Sequence, residues 1–144
     1  MAKPKVLFLC TGNSARSQMA EGLLREMAGD RFEALSAGTN PVGVNPLAIE
    51  AMQEIGIDIS KHHSKNVKEF LGKPIEYVVT VCDRARDSCP VFPGTYKFLR
   101  WSLDDPAAAA GSHDDKLRAF RRIRDEISRQ IEAQFAPAAQ SRAK

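Results

Sequence analysis

Lys5-Val-Leu-Phe-Leu-Cys-Thr-Gly-Asn-Ser-Ala-Arg-Ser17 decides the fold: an apolar run closes on a cysteine, turns through a small polar loop and enters a helical pattern. A strand-to-helix junction of this kind aims several backbone N–H groups and the positive end of a helix at one point. Those groups bind an anion, and they favour the thiolate of a cysteine placed among them, so Cys10 is expected to be largely ionised at neutral pH. Arg16 adds a planar fork of donors able to hold two oxygens of one anion, a geometry lysine lacks. The reading makes Thr11, Gly12, Asn13, Ser14, Ala15 and Arg16 the substrate cradle. Gly12 is expected to let the loop turn back over the ligand, and the Ser17 hydroxyl to hydrogen-bond the thiolate.

Around this junction the chain is ordinary. Its 144 residues, 43% hydrophobic and 27% charged, suit one domain with a full core, and no apolar stretch approaches the ~20 residues of a membrane span. We expect a single catalytic domain over residues 1–136 and a mobile tail over 137–144, the latter being small and polar. No export signal precedes the first strand, so a cytoplasmic location is expected, where three cysteines point to chemistry rather than structural bridges. A net charge of +3 is too small and dispersed for nucleic acid. The basic stretch Arg118-Ala-Phe-Arg-Arg-Ile-Arg124 reads as the solvated face of a helix.

Strands alternate with helices along the chain. Residues 4–9 form the first strand. A helix follows from Ser14 to Ala28, with Met19, Ala20, Leu23, Leu24 and Met27 on its apolar face and Gly29 as its stop. Strands are expected at Phe32 to Ala37, Ile75 to Val81 and Tyr96 to Trp101, and helices at Pro46 to Glu54 and Val67 to Leu71. The final helix starts near Ser112, with Asp115 as a partial capping box, and carries Leu117, Phe120, Ile123, Ile127, Ile131 and Phe135. This alternation predicts an α/β fold, a four-stranded parallel sheet with helices on both faces. Such sheets bind ligands outside the carboxyl ends of their strands, where Cys10, Cys82 and the residues after Trp101 all fall.

Two further features share that edge. Cys89 follows Cys82 by seven residues, and in a helix that spacing separates their Cα atoms by roughly 10 Å, beyond the ~7 Å limit for a disulfide. A bond between them requires the segment to unwind, which its lack of apolar side chains permits. Asp104-Asp105-Pro106 supplies a carboxyl group able to protonate an oxygen leaving the central atom of the anion. Asp105, restrained by the following proline, is the better candidate. His62, His63 and His113 are too few and too scattered for a zinc site and read as solvent-facing or core side chains.

The loop from Cys10 to Ser17, the following Gln18-Met-Ala-Glu21, Asp105-Pro106, and Cys82 with Cys89 together resemble the thioredoxin-coupled arsenate reductases of the low-molecular-weight tyrosine phosphatase superfamily, over residues 4 to about 135. The resemblance implies that Cys10 attacks arsenate held by the loop and Arg16 while Asp105 protonates the departing oxygen. It further implies that Cys82 displaces arsenite to leave a Cys10–Cys82 disulfide. Cys89 then resolves this bond to Cys82–Cys89, which thioredoxin reduces. Some members hold potassium beside the loop. Asn13, Glu21 and Ser36 match that set, but His63 and Lys65 stand near its remaining positions, and the lysine amine is expected to replace the ion's charge. No bound cofactor and a monomeric state are expected. The alternative is a phosphatase acting on phosphotyrosine or phosphoarginine; that branch usually has a second loop cysteine where this chain has Ala15, and aromatic residues where it has Ala107 to Ala110. A thiol-based arsenic or redox sensor, of a different class, needs neither Arg16 nor Asp105.

Overall fold

The computed structural model describes residues 3–81 and 96–135. Cys82, Cys89 and the tail lie outside them. Four strands, β1 (Lys5–Cys10), β2 (Glu33–Gly38), β3 (Tyr77–Thr80) and β4 (Lys97–Arg100), form one sheet in the order β2-β1-β3-β4, every pair parallel. The chain first moves outward from β1 to β2, then crosses back past β1 to β3. The carboxyl ends of β1 and β3 therefore border the point where the winding reverses, the place such sheets use for ligands. The described helices are α1 (Arg16–Ala28), α2 (Pro46–Gln53) and α3 (His113–Phe135), with short 3-10 turns at Val67–Phe70 and Pro106–Ala108.

β1 is the centre of the core. Residues Val6 to Leu9 are wholly inaccessible, as a strand flanked on both edges and covered by helices must be. α1 packs against β1, β2, α2 and α3, and α2 packs against α3. At the far end of the sheet, Phe135 meets Phe32 and Tyr77, each at 5.3 Å between ring centroids, and anchors the end of α3. Arg124, midway along α3, donates to the Ala51 carbonyl at 2.8 Å and pairs with Glu54 at 3.1 Å, which ties α3 to the last turn of α2.

Several expected boundaries move. α1 starts at Arg16 rather than Ser14, because residues 11–15 form the non-helical cradle. β1 and β2 each begin and end one residue later than the pattern suggested, so Cys10 is the last residue of its strand. β3 and β4 are shorter than expected, and the turn at Val67 is 3-10. The capping box of α3 is complete: the Asp115 N–H donates to Ser112 Oγ, and the Ser112 N–H donates to the Asp115 carboxylate. Gly29 ends α1 in right-handed geometry, not the left-handed form expected of a glycine stop.

Candidate active site

Parallel register sets Cys10 beside Gly38, and Leu9 beside Thr80, so the loops leaving β1 and β2 emerge together. α2 is capped by Asn45, whose side chain accepts from the Leu47 N–H, and α3 by its capping box. α1 has no side-chain cap and no acidic residue in its first turn, so its terminal N–H groups are left for another acceptor. The loop before it is held from outside. The Thr11 carbonyl accepts from Asn40 N–H at 2.8 Å, that of Gly12 from Val42 at 3.1 Å and that of Ser14 from Asn45 at 2.9 Å. The Asn13 carbonyl accepts from the Ser64 hydroxyl at 2.7 Å. Carbonyl and N–H point oppositely across a trans peptide, so these four outward carbonyls turn the N–H groups of residues 12–15 inward. One of them is visibly engaged: the Asn13 N–H donates to Cys10 Sγ at 3.2 Å.

The second contact on the buried sulfur is Ser17 Oγ at 2.9 Å. That oxygen already accepts from Asn13 Nδ2 at 2.8 Å, which leaves its proton for the sulfur. The expectation for Gly12 needs correction. The left-handed residue is Asn13, with φ 47°, and a Cβ on Gly12 would lie 3.0 Å from Cγ2 of the exposed Val42 side chain. Asparagine tolerates this backbone better than most side chains. Its side-chain oxygen accepts from the Lys65 N–H at 2.8 Å and from Gln18 at 3.0 Å.

Arg16 bridges the cradle to the loop after β4, its guanidinium donating to the Leu103 carbonyl at 2.9 Å. The two aspartates that follow differ in their engagements. Asp104 faces Arg122 on α3 at 3.5 Å, while Asp105 caps the 3-10 turn by accepting the Ala107 N–H at 3.0 Å. Both are exposed. The structure thus gathers Cys10, the cradle residues 11–16, Ser17 and the chain leading to Asp105. Cys82 and Cys89 are outside the described residues; the residue before them, Val81, donates its N–H to the Leu9 carbonyl at 2.9 Å. A buried thiol among inward N–H groups, a hydroxyl donor and a guanidinium is equipped to attack the central atom of a tetrahedral oxyanion.

Residues 5–143 match the low molecular weight phosphotyrosine protein phosphatase family. The chain belongs to this family. Among its relatives is an arsenate reductase of Halalkalibacterium halodurans, 47% identical over 131 residues that make up 91% of this chain and 94% of the relative. A solved arsenate reductase in a phosphate-binding state superposes with a TM-score of 0.75 at 32% identity, covering 93% of this chain and 98% of that one. A thioredoxin-dependent arsenate reductase from Corynebacterium glutamicum gives a TM-score of 0.68 at 32% identity, over 91% of this chain and 61% of that one.

Beside Glu21 this family member has an open pocket of about 320 Å³ lined by Glu21, Arg25, Lys61, His62, Lys65 and Phe70, among others. Here the side chains matched to a potassium set are already committed to one another. Ser36 donates to Glu21, Arg25 pairs with the same carboxylate, and the Lys65 ammonium lies 3.5 Å from Glu21 Oε1 while donating to the His63 carbonyl at 3.0 Å. An ammonium beside the carboxylate and a carbonyl duplicates what a monovalent cation would do, and the set does not suit a second positive charge. Burial alone would raise the Glu21 carboxyl, but the hydrogen bonds from Ser36 and Arg25, with the charges of Lys65 and Arg25, bring it below its usual value.

His62 belongs to the wall of this pocket and is neither a free surface group nor a core filler. Its Nδ1 meets the Gln18 oxygen at 3.0 Å and its Nε2 meets Arg25 at 3.2 Å. Because that oxygen only accepts and the guanidinium only donates, the ring is neutral with its proton on Nδ1. Burial, followed by the charges of Arg25 and Lys65, outweighs the attraction of Glu21 and keeps His62 below its usual pKa. Gln18 passes the contact to Asn13, Asn13 to Ser17, and Ser17 to Cys10. His113 pairs instead with Glu50 at 3.1 Å on the surface. The sequence signal for Gln18 was a polar residue beside the apolar positions of α1; Ser64 and the amides of residues 40–45 gave no comparable signal.

Proposed function

We propose that this chain is an arsenate reductase whose reductant is thioredoxin. The observation that carries the reading is the uncapped start of α1, where Cys10, Arg16 and the inward N–H groups form an oxyanion seat around a nucleophile. Relatives named arsenate reductase over nearly the whole chain support arsenate as the anion, and the C. glutamicum neighbour supports thioredoxin. In this reading Cys10 attacks arsenic(V), and Asp105 protonates the oxygen that leaves as water. Asp105 is assigned this role because Pro106 and its cap of the Ala107 N–H hold it in place. Cys82 then attacks Cys10 Sγ; the S–As bond breaks with its electron pair passing to arsenic, which departs as arsenite, and a Cys10–Cys82 disulfide remains. Cys89 exchanges into that bond to give Cys82–Cys89, and a thioredoxin dithiol supplies the two electrons that close the cycle. The bond from Val81 to Leu9, one residue before Cys82 and one before Cys10, supports the first exchange. Lys65 provides the charge that potassium provides in other members.

The test is turnover of arsenate with thioredoxin, thioredoxin reductase and NADPH, beside hydrolysis of an aryl phosphate. Cys10→Ser should abolish both. Cys89→Ser should release one arsenite per chain and stop, while its phosphate-ester hydrolysis continues. Repeated turnover by Cys89→Ser with thioredoxin as sole reductant would overturn the relay, and hydrolysis without any arsenite release would make the chain a phosphatase.

A further inference from the structure

We propose that Ser64 is a positioning residue for the oxyanion seat, fixing the peptide between Asn13 and Ser14 so that its N–H faces the anion; this rests on the function proposed above. The Ser64 hydroxyl donates to the Asn13 carbonyl at 2.7 Å and accepts the Gly43 N–H at 2.9 Å. One side chain thus ties the cradle to the segment that holds the carbonyls of Thr11 and Gly12 outward. The peptide it holds follows Asn13, whose left-handed backbone sets the turn from which the Ser14 N–H departs.

The competing donor is already oversubscribed. Gln18 Nε2 carries two hydrogens and faces three acceptors: the Asn13 carbonyl at 3.1 Å, the Asn13 side-chain oxygen at 3.0 Å and the His63 carbonyl at 3.0 Å. Without the Ser64 hydroxyl, the carbonyl keeps only its share of the two Gln18 hydrogens, and the peptide is free to turn its carbonyl inward. An inward carbonyl replaces a donor by a negative dipole at the place an oxyanion must sit. The Asn13 side chain keeps its bond to Ser17, and Ser17 its bond to Cys10, so the surroundings of the sulfur are preserved. Ser64 therefore acts on anion binding and not on the nucleophile.

This separation defines the experiment. Ser64→Ala and Ser64→Thr are compared with the wild-type chain for arsenate kcat and KM, the Kd of inorganic phosphate by calorimetry, the pH dependence of Cys10 alkylation, and Tm. Ser64→Ala should raise both KM and the phosphate Kd about tenfold, the equivalent of one hydrogen bond to a buried acceptor, with kcat within about twofold. Its alkylation profile should match the wild type, and Ser64→Thr, which keeps the hydroxyl, should bind phosphate within about threefold of it. Unchanged KM and phosphate Kd in Ser64→Ala would overturn the proposal. So would a fall in Tm and kcat together with a shifted alkylation profile, or a Ser64→Thr protein as weak in phosphate binding as Ser64→Ala. A wild-type chain that binds phosphate but does not reduce arsenate would remove the proposed reaction while leaving the phosphate comparison as the test of Ser64.

Discussion

Gly38→Ala is a one-methyl substitution that strikes the cradle directly. Gly38 ends β2 beside Cys10, and a Cβ there would lie 2.6 Å from the Thr11 carbonyl oxygen and 2.8 Å from the Asn13 nitrogen, both backbone atoms of the cradle. Ordinary contact begins near 3.4 Å, so one partner must retreat by about 0.8 Å. Neither side yields cheaply. The Gly38 N–H is bonded to the Lys65 carbonyl at 2.8 Å, and the Thr11 carbonyl to Asn40 at 2.8 Å. A displacement of this size at a reacting centre costs about 100-fold in rate, and the overpacking about 1–3 kcal/mol in stability. We expect kcat/KM for arsenate reduction and for aryl phosphate hydrolysis to fall together by that factor, with a folded protein by circular dichroism. Gly56→Ala is the control: its φ of +80° strains a side chain, but nothing lies within 4 Å, so stability should fall by about 1 kcal/mol without loss of activity. A Gly38→Ala protein with kcat/KM within threefold of wild type would refute the close-approach argument.

Arg16→Lys should lose about 100-fold in kcat/KM despite keeping its charge, because an ammonium lacks the planar fork that holds two oxygens of one anion while reaching the Leu103 carbonyl; near-normal steady-state kinetics would make Arg16 peripheral. Arg124→Met should destabilise the chain by about 1–3 kcal/mol in urea unfolding by leaving the Ala51 carbonyl buried without a donor, and an unchanged midpoint would show that α2 and α3 need no such tie. Stability should decline on acidification in two stages. Below about pH 6.5 the unfolded chain protonates a histidine that His62 resists in the fold, and below about 4.5 it protonates a carboxyl that Glu21 keeps ionised. Both groups have folded values below their unfolded ones, so in each stage the unfolded state gains the proton first. Urea midpoints at successive pH values check this, and His62→Gln should remove the upper stage alone.

The cradle was legible in residues 5–17 because its chemistry is local: an apolar strand, a cysteine and a helix start within one stretch fix where N–H groups and thiol must meet. The alternation of strands and helices likewise specified a parallel sheet, and strand order then set the carboxyl ends of β1 and β4 at one edge, where Arg16 reaches the Leu103 carbonyl. Segment ends were less legible, since residues 14 and 15 have helical neighbours but stay outside the helix, the Ser14 carbonyl being held by the Asn45 N–H and Ala15 standing in non-helical backbone. What holds that loop was invisible in the sequence. Ser64 and the amides of Asn40 and Val42 are ordinary loop groups, distant along the chain, and backbone donors carry no residue-type signal at all. The role of Gly38 depends on how closely two backbones approach, which follows from the pairing of β1 with β2 and not from the residue itself. Local sequence determined where the thiol and the N–H groups of a helix start meet, whereas tertiary packing decided the direction of each loop peptide, because that direction is set by whichever distant donor reaches its carbonyl.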